Sequence, residues 1–322
     1  MTHVVLLSGP DQSPLPGLDG LERKARLTLA TDETSLRQSL PEADILLVTD
    51  FRTDLLERAW PDQPKLKWVH AASAGVDRLC FPALRDSDIV LTNARGNFER
   101  GIAEYVLGAV LMFAKDTLTN LHLQRSRSWQ HRDTETLVGK RVLVVGAGAI
   151  GAEVARVLGA MGMRVTGVAR SPRVQPPFAR VVGQDQLLEQ LPQADYVVVT
   201  APLTPRTRGL FDRHAFRAMA PHARFINVGR GPIVVTEDLL HSLQSGEIAG
   251  AALDVFDPEP LPPEHPLWTL PNVMISAHMA GDLVGWERRL GEQFMANFAR
   301  FERGESLLNV VDKSSGFITN GR

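Results

Sequence analysis

Short apolar runs separated by helix-length segments recur along the whole chain. Runs at 3–7, 43–48, 66–70 and 89–92 predict strands in the first part, and runs at 142–145, 196–200, 224–228, 250–253 and 273–276 predict strands further on. Each is followed by a turn or helix signal, the pattern of parallel strands covered on both faces. Two stretches depart from this rhythm. GIAEYVLGAVLMFAKDTLTNLHLQ, after Glu99, carries apolar residues at helical spacing and predicts one long helix leaving a first lobe. LVGWERRLGEQFMANFARFERG, after Gly281, predicts a helix that returns to it, so the first lobe is discontinuous in sequence. Proline-rich PDQPKLK, RVQPPFAR and DPEPLPPEHPLW read as loops.

The stretch LVVGAGAIGAEVARVLGAMGMRVTGVAR at 143–170 carries the most information. An apolar strand enters Gly146-x-Gly148-x-x-Gly151, a helix with Val154, Leu158 and Met161 on one stripe follows, and a second strand ends on arginine. Gly146 permits a tight turn, Gly148 lets backbone N–H groups approach a pyrophosphate at the helix N-terminus, and Gly151 lets helix and strand pack closely. The residue closing the second strand discriminates between cofactors. A carboxylate there hydrogen-bonds the ribose hydroxyls of NAD and repels a 2′-phosphate. Arg170 reverses that preference, with Ser171 and Arg173 beside it, so NADP(H) is expected to be preferred and NAD(H) to be weaker.

Composition narrows the partners. With 322 residues, two α/β domains are the natural expectation. A formal net charge of −2 gives no footprint for nucleic acid or an anionic membrane. The start MTHVVLLSGP lacks the basic and long apolar parts of a secretory signal, and no apolar run is long enough to span a bilayer. The single cysteine, Cys80, forms no internal disulfide and reads as a small apolar residue. A cytoplasmic location is expected.

Hydride transfer to a 2-keto acid needs a cation for the carboxylate, a proton donor for the carbonyl oxygen and a group that keeps the donor charged. Arg230, in NVGRG, follows a predicted strand where open parallel sheets place ligands, and its fork suits a carboxylate. His278, in ISAHMAG, also follows a strand and suits proton exchange near neutrality. Glu259, in DVFDPEP, can accept from the second ring nitrogen and favour the imidazolium. His70 and His265 are the competing histidines; His122, His131, His214, His222 and His241 read as exposed. No HExxH or cysteine-rich spacing is present, and no metal is expected. Trp129 and Trp286 are candidates for the wall of the substrate pocket, with packing in the core or at a dimer contact the expected reading.

Taken in order, GAGAIG, NVGRGPIVVTEDLL and AALDVFDPEPLPPEHPLWTLPNVMISAHMAG resemble the D-2-hydroxyacid dehydrogenase family over nearly the whole chain. The arginine closing the second strand resembles its NADPH-using glyoxylate/hydroxypyruvate and 2-keto acid reductase branch. The resemblance implies α/β architecture with two Rossmann-like doubly wound parallel-sheet domains and a cleft between them. Residues 1–98 plus 285–322 would form the substrate-binding domain and 99–284 the dinucleotide-binding domain. It places the catalytic roles on Arg230, Glu259 and His278, and the substrate carboxylate on Arg230 and on the Ala74 and Gly75 amides of SAGVD. It assigns the cofactor to Ile102, Gly148, Ala149, Ile150, Arg170, Ser171, Arg173, Val228, Gly229, Asp254, His278, Ala280 and Gly281, and to Ala201, Pro202 and Thr207 of APLTPRTRGL.

Two departures from the family pattern stand out. Thr236 replaces a common aspartate and is expected to act as a helix N-cap through its hydroxyl. Ala277 replaces a common proline before His278, which removes one backbone restraint from that loop. The expected activity is NADPH-dependent reduction of a small 2-keto acid to the D-2-hydroxy acid by a homodimer joined through its cofactor lobes. Alternatives on the same fold are a phosphite- or formate-oxidising enzyme, a serine-biosynthesis dehydrogenase and a dinucleotide-sensing binding protein. Glu259 argues against the formate branch, Arg170 against the serine-biosynthesis one, and the lack of an expected recruitment tail against the sensor.

Overall fold

The apolar runs assemble into two separate sheets in which every paired strand is parallel. The computed structural model describes residues 1–10, 15–50 and 54–314. By its contacts the chain divides into two compact units, Met1–Phe98 with Leu283–Arg322, and Glu99–Asp282.

The first unit holds β1 (Thr2–Leu7), β2 (Ala25–Ala30), β3 (Ile45–Val48), β4 (Trp68–Ala71) and β5 (Val90–Thr92), in the order β2-β1-β3-β4-β5. The strands β1, β3 and β4 are buried almost throughout because both sheet faces are covered, and this is why they read as unbroken apolar runs. β2 escapes that reading. It is an edge strand that leaves Leu27 and Leu29 partly exposed, so its sequence ARLTLA mixes polar and apolar positions. The helix Trp286–Glu302 belongs to this unit, where Phe294 and Phe298 are fully buried and Phe294 stacks on Trp68 at 5.1 Å. Gly291 permits the close approach, since a Cβ there would collide with the Pro16 carbonyl. Trp286 meets Phe98 at 6.0 Å, a packing contact within the unit.

The second unit holds β6 (Arg141–Val145), β7 (Arg164–Ala169), β8 (Arg180–Gly183), β9 (Tyr196–Val199), β10 (Arg224–Asn227), β11 (Gly250–Leu253) and β12 (Val273–Ile275), ordered β12-β11-β10-β9-β6-β7-β8. The chain runs outward from β6 to β8, returns to β9 on the other side of β6, and continues to β12. The strand order therefore reverses between β6 and β9, the place where open α/β sheets bind ligands beyond their carboxyl ends. Phe211, Phe216 and Phe225 form one buried ring cluster, with Phe225 4.9 Å from Phe211 and 5.3 Å from Phe216. The helices Glu99–Ala114 and Ala149–Ala160 pack against each other. No helix among the described residues is long and apolar enough to cross a membrane.

Four expectations are corrected. The long helix after Glu99 is two helices, Glu99–Ala114 and Thr117–Arg125. Asp116 breaks it with a left-handed backbone (φ 51°), a conformation aspartate tolerates better than most residues, and its carboxylate accepts from Arg132 Nε at 2.8 Å. Trp129, just past the second helix, is 99% exposed, which removes only the core alternative for it. Met161 lies beyond the helix that Val154 and Leu158 anchor, and is exposed. Thr236 is not an N-cap but the first helical residue: the cap position is Val235, whose N–H donates to the Phe211 carbonyl, and no side chain caps the helix.

Candidate active site

The glycine turn after β6 is shaped by three close approaches. Gly146 adopts φ 113°, and a Cβ on it would come within 2.5 Å of the Ala201 nitrogen. Thr200 Oγ1 donates to the Gly146 carbonyl at 2.8 Å, which ties the turn to the end of β9. A Cβ on Gly151 would collide with that same carbonyl, so helix and turn can close only with glycine there. Gly148 differs. It is the exposed N-cap of the helix Ala149–Ala160, with no side-chain cap, and a Cβ on it would meet no protein atom within 4 Å. The first N–H groups of a twelve-residue helix thus face an open cradle. Ala149 and Ile150 stand half-buried at its rim. These residues fit a dinucleotide pyrophosphate.

Beyond β7, Arg170, Ser171 and Arg173 are all exposed. Arg173 is nonetheless held: its Nε donates to Gln175 Oε1 at 2.6 Å and its Nη2 to the Ala147 carbonyl at 3.0 Å. Gln175 Nε2 donates to that carbonyl too, at 3.0 Å, so the arginine is pinned to the glycine turn. After β9, Ala201 is buried and Pro202 half-buried. The buried Thr207 organises this loop, its hydroxyl donating to the Pro202 carbonyl at 2.7 Å and accepting from Thr204 N–H at 2.8 Å. Ile102 is buried on the helix Glu99–Ala114.

The three residues expected to carry chemistry come from the ends of β10, β11 and β12. Past β10, Val228 and Gly229 are buried, and Asn227 braces the turn by accepting from Gly229 N–H at 3.1 Å and donating to the Arg230 carbonyl at 3.2 Å. Arg230 is half-buried, with Nη1 donating to the Gly229 carbonyl at 2.8 Å. A Cβ on Gly231 would collide with the Phe256 carbonyl, so this turn lies directly against the loop that bears Glu259.

Glu259 spends its two oxygens separately. Oε1 accepts from Phe256 N–H at 2.8 Å, and Oε2 accepts from His278 Nδ1 at 2.9 Å. A carboxylate in this pair is the acceptor, so Nδ1 carries the proton that meets Glu259. Half-burial pushes the Glu259 carboxyl up, but the His278 and Phe256 hydrogen bonds and the charges of His278 and Arg230 outweigh it and hold it below the ordinary carboxylate value. Glu259 is therefore ionised through the neutral range. The same direction of shift means that the pair supports the fold above the ordinary carboxylate range and loses that support as pH falls through the lowered value.

His278 has a left-handed backbone (φ 52°). Its loop is tethered to Asp254, which is buried at the end of β11: the His278 N–H donates to the Asp254 carbonyl at 2.8 Å, Met279 N–H to Oδ1 and Ala280 N–H to Oδ2, both at 2.9 Å. Ala280 is buried and Gly281 half-buried behind it.

The competing histidines have other work. His70 is fully buried in the first unit, and burial pushes its pKa down to about 3. His265 caps a short 3₁₀ helix, its Nδ1 accepting from Leu267 N–H at 3.2 Å. In the first unit, the SAGVD loop after β4 is fixed through its carbonyls: Asn93 Nδ2 donates to Ala74 and Ser73 Oγ to Gly75, at 2.7 and 2.8 Å. Cys80 is half-buried, and its thiol is pushed up by desolvation and by the charge of Asp77. Sequence reasoning passed over Gln175, Asn227, Ser276 and Tyr105; of these, only Tyr105 had a signal, standing one helical turn beyond Ile102.

Comparisons with known proteins place the chain in a family. Residues 107–280 match the family model for D-isomer specific 2-hydroxyacid dehydrogenase, NAD binding domain. A glyoxylate/hydroxypyruvate reductase A of Serratia proteamaculans is 31% identical over 79% of this chain and 82% of its own. Among solved structures, an NADPH-dependent glyoxylate/hydroxypyruvate reductase from Sinorhizobium meliloti in complex with NADP and sulfate superposes with a TM-score of 0.84, at 30% identity over 98% of this chain and all of its own. A D-isomer specific 2-hydroxyacid dehydrogenase from Xanthobacter autotrophicus in complex with NADPH and MES gives a TM-score of 0.82, at 31% identity over 98% of this chain and 100% of that one. With the glycine cradle, the strand-end arginine and the carboxylate-paired histidine in one unit, the chain belongs to the D-isomer specific 2-hydroxyacid dehydrogenase family of oxidoreductases.

Proposed function

We propose that this protein reduces a small 2-keto acid of the glyoxylate/hydroxypyruvate kind to its D-2-hydroxy acid, with NADPH preferred over NADH. The observation that carries the reading is the 2.9 Å pair of Glu259 and His278, in which the Arg230 charge further favours the Glu259 carboxylate. When bound, the reduced nicotinamide supplies the hydride. Arg230 orients the substrate carboxylate and polarises the keto oxygen, as a guanidinium fork suits both. The amides of Ala74 and Gly75 share the carboxylate, an assignment supported by the family resemblance of their loop. His278, carrying its Nδ1 proton against Glu259, gives the Nε2 proton to the oxygen as the alcohol forms.

The cofactor preference is supported by Arg170, Ser171 and Arg173 at the end of β7, where a carboxylate would otherwise select the free ribose. It is further supported by the relatives from S. meliloti and X. autotrophicus, which hold NADP and NADPH. The protein is read as a homodimer. The test is loss of reduced-nicotinamide absorbance with NADPH or NADH against glyoxylate, hydroxypyruvate, pyruvate and bulkier 2-keto acids. Faster turnover of the small acids with NADPH is expected; equal or better turnover with NADH would sink the cofactor assignment, and cofactor binding with no turnover would sink the reaction.

A further inference from the structure

We infer that Tyr105 is a positioning residue for His278, acting through Ser276 and Asp254; the inference rests on the reductase reading only in giving His278 its role. Tyr105 lies on the helix Glu99–Ala114, half-buried, with its Oη 2.6 Å from Ser276 Oγ. Ser276 Oγ in turn donates to Asp254 Oδ1 at 2.5 Å. The direction of the chain follows from proton counting. A serine hydroxyl has one hydrogen, and here it goes to the carboxylate, so the phenol must donate to Ser276 Oγ. Burial foremost, with the Asp254 charge, pushes the Tyr105 phenol up to about 12 against the Ser276 hydrogen bond, and the group stays a neutral donor.

What this chain holds in place is the catalytic loop. Asp254 receives Ser276 from before His278 and the Met279 and Ala280 amides from after it, while its own carbonyl receives the His278 N–H. That grip matters because His278 sits at φ 52°, where a side chain is disfavoured, and Ala277 supplies no proline restraint. Such a conformation persists only when its surroundings over-determine it. Tyr105 roots the grip in a sixteen-residue helix, and by fixing Ser276 it fixes the carboxylate to which three loop donors are tied. The ring of His278 then meets Glu259 at hydrogen-bond distance as a result of its backbone, not of its own rotamer alone.

Tyr105→Phe keeps the ring and removes one donor from a partly buried pair. We expect kcat for keto-acid reduction to fall roughly three- to tenfold, as for loss of one hydrogen bond, with the Kd for NADPH unchanged by fluorescence titration. The downfield proton resonance of the His278 Nδ1–H, identified by its loss in His278→Gln, should broaden or move upfield in the variant. Ser276→Ala cuts the same chain without touching the ring and should reproduce both effects, while Ser276→Thr, which retains the hydroxyl, should keep kcat and the resonance near wild type. Folded Tyr105→Phe and Ser276→Ala proteins with wild-type kcat and an unchanged resonance would overturn the inference. Failure of the reductase reading looks different: wild-type protein would turn over no keto acid, and the resonance would still report whether Tyr105 governs His278.

Discussion

Each unit carries a histidine near the carboxyl end of its sheet, and the two could hardly be treated more differently. His70, in β4, is sealed from solvent, lies tilted against Phe294 at 5.7 Å, and shares the Thr92 hydroxyl with Trp68. Burial alone drives it to about 3, so it is neutral through the neutral range. His278 keeps 38% of its side chain exposed and has a carboxylate at 2.9 Å. The comparison teaches that a carboxylate partner and exposure to solvent are what set one strand-end histidine apart from the other, which without them is a core residue with a polar edge.

The largest effect expected from breaking that comparison is on turnover. His278→Gln should lower kcat by about 10²–10⁴-fold, the usual worth of a positioned acid, with little change in melting temperature. His70→Gln should leave turnover close to wild type. Steady-state kinetics and thermal melts of both variants read the contrast directly, and a His70 variant as inactive as the His278 one would erase it.

Cofactor choice comes next. Arg170→Ala should reduce the ratio of kcat/KM for NADPH over NADH by roughly ten- to a hundredfold, the range for losing a charge-assisted hydrogen bond. A ratio that does not move would place the 2′-phosphate elsewhere. Gln175→Ala should act the same way but less, since it removes the acceptor of the Arg173 Nε and leaves Arg173 its direct bond to the Ala147 carbonyl.

The smallest effect is on acid stability. Because the folded-state value of His70 lies far below its ordinary 6.5, the unfolded chain binds the extra proton between these limits. Stability from this group is full above pH 6.5 and drains as pH falls toward 3, by at most about 1.4 kcal/mol per pH unit. In His70→Gln the difference in melting temperature between pH 7 and pH 4.5 should shrink; an equal difference would mean that other groups carry the acid sensitivity.

Much of this was legible in the sequence because the chemistry sits in short segments at strand ends. The glycine spacing, Arg230, Glu259 and His278 each announce themselves within a few residues, and the buried strands announce themselves by burial on both faces. The edge strand β2 did not, since a strand with one open side need not be apolar throughout. Nor did the Tyr105–Ser276 pair, whose partners stand 171 residues apart in sequence and meet only through the packing of a helix on a sheet. Thr236 shows the converse limit: its residue type suits a cap, but the Val235–Phe211 hydrogen bond sets the helix start one residue earlier. Local signals locate functional groups; what holds them is tertiary.

The most direct test of the central claim, that His278 donates the proton and Glu259 holds its ring for the task, is kcat for keto-acid reduction with NADPH in wild type and Glu259→Gln. The substitution replaces the charged acceptor of the His278 Nδ1 proton with a neutral amide, so kcat should fall roughly ten- to a hundredfold, the range for losing a charge-assisted hydrogen bond. Wild-type kcat in a folded, cofactor-binding Glu259→Gln protein would contradict the account.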